Sequence, residues 1–62
     1  MSASRDLNAV TRAHTADLSE EDAAVLVYCA TCAFPVANIT PTEWAIALDV
    51  TKQALRAAHE IA

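Results

Sequence analysis

Hydrophobic residues recur along the chain at intervals of three and four positions, which is the spacing of side chains on one face of a helix. The chain contains no glycine and only two prolines, so turn-rich β structure is disfavoured. The pattern therefore predicts one all-α domain over residues 1–62. Its three predicted helices span about residues 4–16, 19–34 and 41–61.

The second predicted helix has clear signals at both ends. Ser19 precedes three acidic residues, and a serine at this position caps the first turn while the acids favour its positive end. Pro35 ends the helix because its ring disfavours helical geometry at Phe34. The residues between these signals, including Cys29 and Cys32, are apolar nearly all round. We therefore expect this helix at the centre of the core.

The third predicted helix begins at a capping box. Thr40 suits the cap position, Pro41 suits the first helical position, and Glu43 can reach back to the cap. Ile39 and Trp44 have the spacing of a hydrophobic staple across this start. No glycine or proline follows Pro41, so the third helix is predicted to continue to about residue 61.

If the third helix continues without a break to residue 61, its apolar residues fall into two sets on different sides of the helix. One stripe faces the rest of the chain and comprises Trp44, Leu48, Thr51, Leu55, Ala58 and Ala62. A second set lies on roughly the opposite side and comprises Ile46, Val50, Ala57 and Ile61. A straight helix in a monomer would leave the second set in water. This interpretation therefore predicts a face that binds another protein or a second copy of the chain.

The same segment has a competing interpretation, in which the helix bends at Asp49 to give two shorter helices. Its spacing resembles that of a helix-turn-helix unit over about 20 residues, carried by Ala45, Leu48, Asp49, Val50, Thr51, Leu55 and Ala58. The resemblance implies a small DNA-binding transcriptional regulator that presents Lys52, Gln53 and Arg56 to the groove. Asp49 stands where that family has a glycine, and this departure favours the uninterrupted helix.

Composition bears on both interpretations. The chain of 62 residues has a net charge of −4 and a pI of about 4.7, which disfavours nucleic acid as a partner. A chain of this length buries only about 60% of its unfolded surface. Alanine is the commonest of its apolar residues, so the core has few large side chains. Association with a partner or with itself is the remaining route to stability.

A Cys/His metal or redox site is a third hypothesis. Cys29 and Cys32 lie three apart on one helix face and are candidates for half of a zinc site, which His14 and His59 would have to complete. Packing the helices as antiparallel neighbours puts the two histidines at the opposite end from the thiols. We therefore expect two buried, reduced cysteines, no metal and no cofactor. No nucleophile lies near a base at short spacing, so we expect no enzymatic activity.

Two further features bear on location. Residues 23–42 carry no charge over the length of a membrane span, but Pro35, Asn38 and Pro41 interrupt them and no Lys or Arg flanks them. The N-terminal residues lack the apolar segment of a secretory signal. We expect a cytoplasmic protein without membrane contact that acts by binding another protein or its own copy, in a regulatory role, rather than by catalysis.

Overall fold

The structure, a computed structural model, describes the backbone of residues 3–61 and the side chains of residues 6–61. It contains three helices, α1 (Ala3–Thr15), α2 (Glu20–Ala33) and α3 (Pro41–Ile61). The predicted all-α fold with three helices is confirmed, and each predicted boundary lies within one residue of the observed one. None of the helices in this part of the chain is long and apolar enough to cross a membrane.

Local hydrogen bonds account for the helix ends that the sequence predicts. Ser19 Oγ accepts from the backbone N–H of Asp22 at 3.1 Å, which caps α2. Phe34 has φ −127° and ψ 121°, the extended geometry that a following proline favours. The Phe34 N–H still donates to the Ala30 carbonyl at 2.9 Å, so α2 ends in a satisfied turn.

The capping box at the start of α3 forms as predicted. The backbone N–H of Glu43 donates to Thr40 Oγ1 at 3.1 Å, and the backbone N–H of Thr40 donates to Glu43 Oε1 at 3.0 Å. Ile39 is partly buried and packs against the core cluster that contains Trp44, as expected for the predicted hydrophobic staple. Val36, in the same loop, is 43% exposed.

The central helix of the fold is α3. Both α1 and α2 pack along it, and they touch each other far less than either touches α3. The molecule is elongated, with principal extents of 41 × 20 × 15 Å. The prediction that the second helix occupies the centre is therefore wrong. In this arrangement α3 is the helix that both others contact, and with 21 residues it is also the longest of the three.

The core is small and lies beside the first half of α3. Its buried residues, among the side chains that the structure describes, are Leu26, Ala30, Trp44, Ala47 and Leu48. Trp44 also fastens α1, because its indole Nε1 donates to Thr11 Oγ1 at 2.8 Å while the Thr11 hydroxyl donates to the Leu7 carbonyl at 2.8 Å. Two of the five core residues are alanines, so most of the buried aliphatic volume comes from two leucines and the tryptophan.

The proposed bend at Asp49 is absent, because α3 runs through Asp49 and Val50 without interruption. No residue in the range 3–61 has a positive φ, so the left-handed turn of a helix-turn-helix unit is not formed there. Gln53 Nε2 donates to Asp49 Oδ2 at 3.2 Å, a contact between residues four apart that suits a continuous helix.

The inward stripe of α3 ends earlier than the sequence predicts. Trp44 and Leu48 are buried and Thr51 and Leu55 are partly buried, whereas Ala58 is exposed. Every residue from 56 to 61 is exposed, because α3 continues past the part of the core that α1 and α2 provide. The remaining member of the predicted stripe, Ala62, lies outside the described residues.

Candidate interaction surface

One side of α3 exposes aliphatic side chains along four turns, and we call it the α3 face. It consists of Ile46, Val50, Ala57 and Ile61. Ile46 is 60% exposed, Val50 is 50% exposed and Ile61 is 88% exposed. Ala57 is exposed as well. These residues lie where the uninterrupted helix predicts them, on the side that neither α1 nor α2 covers, and binding through them stays a prediction.

An open groove adjoins the N-terminal end of the α3 face, and we call it the loop groove. It has a volume of about 460 Å³, and it is lined by Phe34, Pro35, Ala37, Asn38, Ile39, Glu43, Ile46 and Ala47. Most of these side chains are apolar. Because Ile46 belongs to both features, the groove and the α3 face form one continuous surface. The connection between α2 and α3 thus shapes a recess large enough to take a bulky aliphatic side chain.

The capping box fixes one wall of the loop groove. Thr40 and Glu43 are bonded to each other, so the loop enters α3 at a set angle. The hydrogen bond from the Thr40 backbone N–H stabilises the charged carboxylate and holds the pKa of Glu43 below its ordinary value of 4.5. The wall therefore carries a negative charge at neutral pH beside an otherwise apolar recess.

A second apolar surface, which the sequence analysis missed, lies on α2. We call it the α2 stripe, and it comprises Val25, Tyr28, Cys29 and Cys32. Val25 is 41% exposed and Tyr28 is 70% exposed. Both cysteines are exposed, so the prediction that they are buried is wrong. These four residues are spaced three, one and three positions apart, so they lie on one face of the helix. Because α2 is apolar nearly all round, its sequence does not indicate which face packs against the rest of the fold and which stays exposed.

His59 and the two cysteines lie at opposite ends of α2, as the antiparallel packing predicts. His59 Nε2 lies 3.6 Å from Asp22 Oδ1, which places His59 beside the first turn of α2. Cys29 and Cys32 lie in the last two turns of the same helix. Among the described residues, no group of three or more His, Cys, Asp or Glu side chains is placed to hold a metal ion.

Lys52 is not a free, groove-facing residue as the helix-turn-helix interpretation requires. Its side chain is only 17% exposed, and its Nζ donates to Asp17 Oδ1 at 2.9 Å and to the His14 carbonyl at 3.1 Å. The His14 carbonyl belongs to the last turn of α1, where backbone acceptors lack helical partners, so Lys52 closes the end of that helix. Gln53 and Arg56 are both exposed, and the Gln53 side chain is hydrogen-bonded to Asp49.

The Asp17 carboxylate is stabilised by this contact. Its hydrogen bond from Lys52, with smaller contributions from its own backbone and from the charges of Lys52 and Arg56, holds its pKa below the ordinary value of 3.8. A small recess of about 130 Å³ lies nearby and is lined by Leu18, Asp22, Lys52, Leu55, Arg56 and His59. Its charged lining consists of one carboxylate, Asp22, and two cationic side chains, Lys52 and Arg56.

Comparison of the chain with protein-family models, with curated proteins and with solved structures found no match.

Proposed function

We propose that this protein is a small helical interaction module that works by binding rather than by catalysis, and that its partner is a second copy of the chain, bound through the α3 face. The observation that carries the proposal is the exposure of Ile46, Val50 and Ile61 on the side of α3 that neither α1 nor α2 covers. Exposing apolar side chains to water is unfavourable in free energy, so polar residues would be expected at these positions in a monomer.

The amount of exposed surface supports the proposal. The exposed fractions of these three side chains correspond to about two whole aliphatic side chains per copy. Burying a whole side chain of this kind is favourable by about 1.5–3 kcal/mol. A symmetric dimer buries the surface of both copies, so the gross gain is roughly 6–12 kcal/mol before the cost of association is subtracted. That is large beside the stability expected of a fold whose described side chains include only five buried ones.

Symmetry favours a second copy over an unrelated partner. A two-fold dimer lets the same patch cover itself, so no second complementary surface has to be present on another molecule. The cytoplasm is the location we propose, because two exposed and unbridged thiols fit a reducing compartment.

Sedimentation equilibrium over a range of micromolar concentrations tests the proposal. The monomer mass is 6.6 kDa, and we expect the average mass to rise toward about twice that value as the concentration increases. Val50→Glu should shift the transition to higher concentration. Losing the burial of a half-exposed valine in both copies costs about 2 kcal/mol, or about 30-fold in Kd, before the cost of burying two carboxylates is added.

The chain offers a matched pair of control variants. Ala57→Glu places a carboxylate on the α3 face, whereas Ala9→Glu makes the same change at an exposed position of α1. We expect Ala57→Glu to weaken association and Ala9→Glu to leave it unchanged. Tyr28→Glu reports on the α2 stripe, and dissociation by that variant alone would move the interface from α3 to α2. A wild-type mass that stays at 6.6 kDa throughout would contradict self-association.

A further inference from the structure

We infer that the two α3 helices pair antiparallel, about a two-fold axis that passes between Gln53 and Ala54, and that the partner's Ile61 fills the loop groove. This inference rests on the proposed function, since it specifies the geometry of the same contact. Its first support is the spacing of the α3 face. Ile46 lies as far before the midpoint as Ile61 lies after it, and Val50 and Ala57 are related in the same way.

Antiparallel pairing about this midpoint gives each position a complementary neighbour. Val50 faces the partner's Ala57, so a larger side chain meets a smaller one and the helices can approach closely. Ile46 faces the partner's Ile61, which is the most exposed of the large hydrophobic side chains in the described part of the chain. In a parallel pair each residue would instead face its own copy, and the two small Ala57 side chains would oppose each other.

The loop groove supports the same register. Ile46 is one of its lining residues. A partner side chain that arrives opposite Ile46 therefore lies at the mouth of the groove, and in the antiparallel register that side chain is Ile61. The groove volume of about 460 Å³ accepts a branched aliphatic side chain without rearrangement. The two-fold axis creates this contact twice, once at each end of the paired helices.

Disulfide trapping tests the register. The background is Cys29→Ser with Cys32→Ser, which removes two exposed thiols, and single cysteines are then introduced as Val50→Cys and Ala57→Cys. We expect a mixture of the two variants to form a mixed disulfide in a glutathione buffer. Either variant alone should cross-link poorly, because its own copy lies seven residues away along the helix, about 10 Å, beyond the span of a disulfide. Efficient homodimer formation by Val50→Cys alone would overturn the antiparallel register.

Sedimentation of the same variants under reducing conditions separates the two ideas. Dimers that trap in a different pattern contradict the register and leave the proposed function standing, whereas reduced monomers for the background protein contradict both.

Discussion

Replacing Thr40 by alanine removes one half of the capping box that starts α3 and shapes the loop groove. The substitution deletes the Oγ1 acceptor of the Glu43 N–H and leaves the reciprocal bond from the Thr40 N–H to Glu43 Oε1 in place. Loss of a single cap acceptor costs about 1 kcal/mol. A change of that size lowers the melting temperature of a domain of about 60 residues by roughly 4–8 °C.

Thermal unfolding followed by circular dichroism at 222 nm, at one fixed protein concentration, measures the effect. Thr42→Ala is the matched control. It makes the same chemical change two positions later, at an exposed site whose hydroxyl has no hydrogen bond within the described residues. Because alanine favours a helix interior more than threonine does, the control should melt at the wild-type temperature or slightly higher. Thr40→Ser keeps the acceptor and should retain most of the wild-type stability. Equal losses for Thr40→Ala and Thr42→Ala would refute the capping argument.

The other half of the box is visible in the pH dependence of stability. The pKa of Glu43 is lowered in the folded state, so its carboxylate stabilises the fold above the unfolded pKa of about 4.5 and this stabilisation is lost as the pH falls through the lowered folded value. Glu43→Gln should therefore flatten the decrease in melting temperature below pH 4.5. A Glu43→Gln curve parallel to the wild-type curve would show that the bond to Thr40 contributes nothing in solution.

Two further predictions concern side chains outside the α3 face. Lys52→Met should destabilise the fold and reduce the loss of stability that the wild type shows below pH 3.8. The pKa of Asp17 is lowered in the folded state, so its carboxylate stabilises the fold above pH 3.8 and this stabilisation is lost as the pH falls through the lowered folded pKa. Chemical unfolding at pH 7 and pH 3 measures the effect, and a difference in unfolding free energy between the two pH values that equals the wild-type difference would contradict it. Cys29→Ser with Cys32→Ser should shift stability by no more than about 0.5 kcal/mol because both thiols are exposed, and zinc measured in protein purified without added metal should be absent from the wild type. Stoichiometric zinc there would refute the absence of a metal site.

The elements predicted correctly are those set by neighbours in sequence. Ser19, Thr40 and Pro35 act on backbone groups within four residues, so the helix boundaries that they set could be inferred from the chain alone. The uninterrupted course of α3 was the favoured alternative for a similar reason, because Asp49 fits a helix and replaces the glycine that a bend needs.

What could not be predicted depends on which helices become neighbours. An all-round apolar α2 gives no preferred direction, and the choice of Leu26 and Ala30 as its buried side exposes Tyr28, Cys29 and Cys32. The contact between Lys52 and Asp17 joins residues 35 apart and leaves no local pattern. The core likewise ends at Leu55 because α1 and α2 extend no further along α3. The periodicity of α3 carries no information about that limit.

The three-helix arrangement also links folding to the proposed dimer. Since α1 and α2 rest on α3 and hardly touch each other, the whole fold depends on α3 remaining helical. A second copy that binds only the folded chain stabilises it by mass action, so the wild-type melting temperature should rise with protein concentration. At concentrations below its weakened Kd, Val50→Glu should melt at a constant temperature close to that of highly diluted wild type, because Val50 is half exposed and contributes little to the monomer core. A variant that melts well below the diluted wild type would instead show that Val50 stabilises the monomer, and the surplus apolar surface of α3 would then need another explanation than a second copy.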